Sequence, residues 1–116
     1  MSTSPGISIT SSSKRVRVTW HGKTVVDTTR ALEMREGAYP PVLYVPRADA
    51  NMALMKKTAH HTTCPHKGEA SYFSLADGGA ESANAIWTYE TPKDSVAAIK
   101  EHLAFYPDRV DAIEVL

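Results

Sequence analysis

From Arg15 to Trp20 apolar and polar residues alternate without a break, Val16, Val18 and Trp20 on one side and Arg15, Arg17 and Thr19 on the other. Successive side chains of an extended chain point to opposite faces, so this pattern predicts a half-buried strand. His21-Gly22-Lys23 supplies a turn, and the β-branched run over residues 24–29 predicts a second strand folded back on the first. Residues 31–35 predict a further strand, although Ala, Leu, Glu and Met also suit a helix. Gly37, Pro40 and Pro41 then break the chain, since proline removes a donor and forces its predecessor out of the helical region. A short strand over residues 42–45 is stopped by Pro46.

Asp49 is placed to cap one or two helical turns over residues 50–57. Residues 58–68 show no periodicity and predict a polar loop. Strands are expected over residues 70–75 and 85–89, on either side of the Asp77-Gly78-Gly79 turn. The clearest helical signal follows. Thr91 suits the N-cap and Pro92 the first helical position, while Val96, Ile99 and Leu103 form an apolar stripe at helical spacing. Phe105-Tyr106-Pro107 ends that element, and residues 110–116 predict a last strand. The expected fold class is mainly β (α+β): a small antiparallel two-sheet domain with one C-terminal helix and a short second helix.

Composition narrows this further. With 116 residues the chain supports one domain. Six of the first thirteen residues are Ser, so residues 1–13 are expected to be a disordered tail and residues 14–116 a single β-rich domain. Thirteen basic residues balance thirteen acidic ones, which argues against broad electrostatic attachment to nucleic acid or an anionic membrane. The start of the chain lacks a basic n-region and an apolar core, and its longest nearly apolar run, residues 38–46, holds three prolines; neither a secretory signal nor a membrane span is expected. One cysteine permits no internal disulfide and no all-cysteine zinc cage, and it suits a reducing, cytoplasmic setting.

The densest chemistry lies in His60-His61-Thr62-Thr63-Cys64-Pro65-His66-Lys67-Gly68-Glu69. His60, Cys64 and His66 offer a zinc-compatible donor set, but Cys-x-His is too short for the usual chelating spacings and no second cluster lies elsewhere, so no metal is expected. Cys64 could instead be a nucleophile, its thiolate favoured by Lys67 or His66 and by loop amides that Gly68 lets curl inward. A third reading is a non-covalent pocket in which those amides and Lys67 hold a polar group beside aromatic walls drawn from Tyr39, Tyr44, Tyr72, Trp87, Tyr89 and Tyr106. Against all three stands a plain one, Cys64 as a small core residue. The charged neighbours Arg35-Glu36 and Arg47-Asp49 read more readily as solvated surface pairs. Walker A, GxGxxG, HExxH and GxSxG patterns are missing, so no familiar nucleotide site or hydrolase elbow is present.

Three segments in order, EGAYPPVLYVPR at 36–47, TCPHKGEASY at 63–72 and AFYPDRV at 104–110, carry a family resemblance. With Trp87 and Tyr89 between the last two, the chain resembles the domain of unknown function 427 over essentially its whole folded part. The Cys-Pro-x-Lys-Gly-x-Ala-x-Tyr run is the most specific element. The resemblance implies a β-tent-like arrangement, in which two antiparallel sheets meet at an angle over a pocket. Relatives of that architecture often carry a four-cysteine zinc site, which one cysteine cannot provide. A loose association of the family with nucleotidyl transfer finds no paired-carboxylate motif here. Members often have Tyr at the position of His66, which argues against an essential role for that imidazole. Carried over by position, the implied pocket residues are Cys64, Lys67, Tyr72, Tyr44, Arg47 and Trp87.

Two functional classes follow. The first is a small-molecule pocket protein whose catalytic form would be a thiol-dependent hydrolase or acyl-transfer enzyme. In it Cys64 is the nucleophile, Lys67 or His66 lowers its pKa, and Tyr44, Arg47, Tyr72, Trp87 and Tyr39 bind the ligand. The second is a structural or protein-interaction domain with Cys64 in the core. No cofactor is expected, and no nucleic-acid or membrane partner; edge strands leave room for a homodimer.

Overall fold

The computed structural model describes residues 6–116. Ten strands occupy it: β1 (Ile7–Ser11), β2 (Val16–Trp20), β3 (Lys23–Thr28), β4 (Leu32–Glu36), β5 (Val42–Tyr44), β6 (Met55–Cys64), β7 (Gly68–Asp77), β8 (Ala80–Thr88), β9 (Leu103–Phe105) and β10 (Ala112–Val115). They form three antiparallel sheets, in the orders β1-β4-β5, β10-β2-β3 and β6-β7-β8-β9. Three sheets thus replace the expected two.

The four-stranded sheet sits between the others, and its inner strands β7 and β8 together with β9 pack on both faces. Phe73, Ile86, Leu103 and Phe105 share one face and pack with Val16, Val18 and Val26 of the β2–β3 hairpin. Ala70, Tyr72 and Ala104 face the other way and pack with Ile7, Ile9, Met34 and Tyr44 of the β1-β4-β5 sheet. A two-bond bridge closes the assembly: Val45 N–H donates to the Leu103 carbonyl and Leu103 N–H to that of Val45, each at 2.8 Å.

Four local expectations are corrected. Order begins before residue 14, because Ile7 and Ile9 alternate with Ser8 and Thr10 and pair with Met34 and Glu36 of β4; that two-residue period lay hidden in a serine-rich context. Residues 1–5 of the expected tail lie outside the described residues. The helix over residues 50–57 is a pair of single 3-10 turns, Arg47–Asp49 and Met52–Leu54, after which β6 begins. Asn51 caps the second turn, accepting from Ala53 N–H at 3.2 Å. Asp49 accepts from Thr28 Oγ1 at 2.7 Å and from Arg30 at 3.0 and 3.1 Å, bonds that hold its carboxyl below the ordinary carboxylate range.

The polar loop over residues 58–68 is mostly strand. β6 is the outer strand of its sheet, exposed along most of its length, and its register shifts between Lys57 and His61, so no apolar period marks it. The C-terminal helix is absent: residues 94–99 make only 3-10 turns, and Val96 sits at φ −127°. Val96, Ile99 and Leu103 are nevertheless all at 0 % exposure. The stripe read burial correctly, but six residues are too few for a stable α-helix, and Leu103 is claimed by the ladder to Thr88. Among the described residues no helix is long and apolar enough to cross a membrane.

Candidate functional site: a two-part cleft

Side-chain alternation along four strands assembles the site. On β4, Met34 and Glu36 share a face, and Val42 and Tyr44 of β5 stand on that same face opposite Met34 and Leu32. Across the gap, Tyr72 of β7 pairs with Trp87 of β8. Between them lies a polar cavity of about 250 Å³, lined by Glu36, Tyr39, Tyr44, Lys67, Tyr72, Trp87, Tyr89 and Tyr106. Glu36, Tyr39, Pro40, Val42 and Trp87 also line a larger apolar cavity of about 730 Å³. Its far side is built by Val16 and Val18 of β2, Ile113 of β10 and Phe105 of β9. The chain-breaking segment with Pro40 and Pro41 is therefore the partition between two adjoining compartments.

Lys67 reaches the polar compartment because the β6–β7 hairpin turns tightly. Its N–H donates to the Cys64 carbonyl at 3.2 Å, and its own carbonyl accepts from Lys93 N–H at 2.9 Å. Gly68 sits at φ +114°, a backbone conformation L side chains rarely adopt. A Cβ there would meet Thr91 O at 3.5 Å, an ordinary contact, so the demand for glycine is conformational. Gly68→Ala should lower the unfolding free energy by about 1–3 kcal/mol, read from the urea midpoint. A change below about 0.5 kcal/mol would show that the turn relaxes freely. The inward ring of loop amides expected around Cys64 is not formed in that way, since the Lys67 amide is used inside the turn.

The Lys67 ammonium donates to Glu36 Oε1 at 2.8 Å, with side-chain exposures of 12 % and 32 %. Burial pulls this ammonium down, but the Glu36 carboxylate, Cys64 and Tyr44 outweigh it and hold it above its ordinary value. Trp87 Nε1–H donates to Tyr44 Oη at 3.2 Å. Burial pushes the Tyr44 phenol up, against the pull of that Trp87 donor and of Lys67. Tyr72 Oη shares hydrogen bonds with Thr62 Oγ1 at 2.9 Å and Tyr106 Oη at 3.4 Å. Burial and the Tyr72 hydroxyl push the Tyr106 phenol up to about 12. Tyr89 is raised still further, by burial first and then by Tyr44, Cys64 and Tyr72. At neutral pH all three phenols keep their protons and can donate.

Five of the eight residues singled out from sequence meet this cavity: Lys67, Tyr39, Tyr44, Tyr72 and Trp87. Cys64 does not line it. Its side chain is half-buried against the aromatic cluster of the second core, within electrostatic reach of Lys67, Tyr44 and Tyr89. His66 is exposed at the turn and outside the lining. Arg47 stands on the far side of β8, where Thr88 and Phe73 face. It donates to Thr88 Oγ1 at 3.2 Å and to the Glu101 carbonyl at 2.9 Å, lies 3.5 Å from Glu90, and sits over the Phe73 ring. Glu36 is the residue that sequence reading set aside as surface. Its one signal was the two-residue spacing from buried Met34, which puts it on the inner face. Among the described residues no group of three or more His, Cys, Asp or Glu is arranged to hold a metal ion.

Fold and cleft together define a small antiparallel β domain with an aromatic, two-compartment cleft. Comparison with known families matches residues 8–116 to the domain of unknown function DUF427, and the chain belongs to that family. Among curated proteins no match is found.

Proposed function

We propose that this protein binds a small amphipathic molecule without forming a covalent bond to it. The apolar part lies between β2, β5, β9 and β10, and the polar part meets Lys67, Glu36 and the phenols. The single observation that carries this reading is the shared partition: Val42 and Trp87 border both compartments. Ligand sites are typically clefts of about 300–1,000 Å³ with an apolar lining and a few convergent polar groups, and the pair of cavities fits that description. The walls come from the sheets on either side of the four-stranded one as well as from that sheet itself. Cys64 serves here as packing under the phenols, and the thiol chemistry has no part in the binding step.

The experiment is a titration with 2-naphthol followed by NMR. The indole N–H resonance of Trp87 should shift on binding, while that of Trp20, packed in the first core, stays in place. Val42→Trp fills the partition and should weaken binding by about tenfold or more. A static Trp87 resonance, or a Val42→Trp variant that binds as well as the parent, overturns the reading.

A further inference from the structure

Several hydrogen-bond donors that line the polar compartment meet no acceptor among the described residues. Lys67 carries three N–H groups, and Glu36 is the one side-chain acceptor it meets among the described residues. Tyr44 Oη accepts from Trp87, and its own proton meets no acceptor among them. Tyr89 is 5 % exposed, and its hydroxyl makes no hydrogen bond among the described residues. Arg17 Nε is the one sealed side-chain polar atom without a partner there, so the Tyr89 oxygen reaches open space, and Tyr89 lines this cavity. Thr62, Tyr72 and Tyr106 hold three hydroxyl protons for two mutual bonds, leaving one to point elsewhere. These donors converge on one cavity, so a ligand that supplies acceptors there bonds to several of them at once.

Resting on the pocket reading above, we infer that the ligand is an amphipathic carboxylic acid, its carboxylate held by Lys67, Tyr44 and Tyr89 and its apolar body in the larger compartment. Charge selects the head further. Lys67 shares its charge with Glu36, so the compartment starts near neutral, and the ammonium is the less exposed of the two. A monoanion with two acceptor oxygens spread over neutral phenol donors fits that balance. A phosphate ester brings a second negative charge with no second cation among the lining residues. An ammonium head would face Lys67 and the phenol protons.

The test uses the folded full chain and four probes of one apolar body: 2-naphthoate, 2-naphthol, 2-naphthyl phosphate and 2-naphthylmethylamine. Affinities come from the Trp87 indole resonance at pH 7. Naphthoate should bind about tenfold more tightly than naphthol, and more tightly than the phosphate or the amine. Tyr89→Phe keeps the ring and removes one donor; it should weaken naphthoate by about threefold to tenfold and leave naphthol within about twofold. Lys67→Met should do the same more strongly, and Tyr89→Phe carries the test alone if that variant does not fold. Equal binding of naphthoate and naphthol, or tighter binding of the phosphate or amine, overturns the carboxylate assignment while the pocket survives. Binding by none of the four overturns both.

Discussion

Leu103→Ala should lower the unfolding free energy by about 3 kcal/mol, within the 2–5 kcal/mol usual for emptying a well-packed leucine site. Leu103 is fully buried, faces Thr88 across β8–β9, and exchanges both backbone hydrogen bonds with Val45. It therefore stands where the four-stranded sheet meets the end of β5. Removing its side chain leaves a void next to the apolar compartment, whose wall already includes Val45 and Phe105. The surrounding strands are held by ladders on both sides, so they cannot collapse into it. Val115→Ala, at a position 51 % exposed, gives the contrast and should stay within about 0.5 kcal/mol of the parent. Urea unfolding of the two variants checks both values. A loss below about 1 kcal/mol for Leu103→Ala would mean that the junction repacks, and that β9 is not the fixed wall of the cleft.

Leu103 also marks how far the sequence could be read. Its spacing from Ile99 and Val96 announced burial, and burial is what the residue has. Conformation was another matter, because an apolar residue every third or fourth position fits a helix, successive 3-10 turns, or a turn running into a strand. The hairpin of β2 and β3 was legible since a strict alternation bounded by His21-Gly22 allows few alternatives. β6 was not, because a solvated outer strand with a register shift has no period to display. In the site, Tyr44, Tyr72, Trp87 and Lys67 were foreseeable from the aromatic and Cys-Pro-x-Lys-Gly patterns. The Glu36 partner of Lys67 was not: thirty-one positions separate the two along the chain, and only the packing of the β1-β4-β5 sheet against the four-stranded sheet brings them together. Arg47 failed for a related reason. Trp87 and Thr88 point to opposite sides of one strand, and Arg47 is bonded to the Thr88 side.

Alkaline pH should unfold this protein steeply, and the cleft is the cause. Tyr44, Tyr89 and Tyr106 are all raised above the phenol value of about 10 that the unfolded chain shows, each by burial first. Above that pH the unfolded chain gives up protons that the folded chain keeps. The folded state then binds more protons, so stability falls as pH rises, by up to about 1.4 kcal/mol per pH unit for each phenol held back. Lys67 adds in the same direction. Its folded value is raised, so its contribution is complete below about pH 10.4 and is lost as pH climbs through the higher folded value. Urea midpoints measured from about pH 9 to about pH 11.5 should fall continuously. Tyr89→Phe should make the decline shallower by about one phenol's worth. Adding 2-naphthoate separates two origins of the slope. A ligand held by the phenol protons binds for as long as the folded chain keeps them, so its stabilising effect should persist across this range while the stability of the free protein falls. A flat stability profile up to about pH 11.5 would instead mean that the phenols are open to water and that the polar compartment offers no dry donors to a ligand.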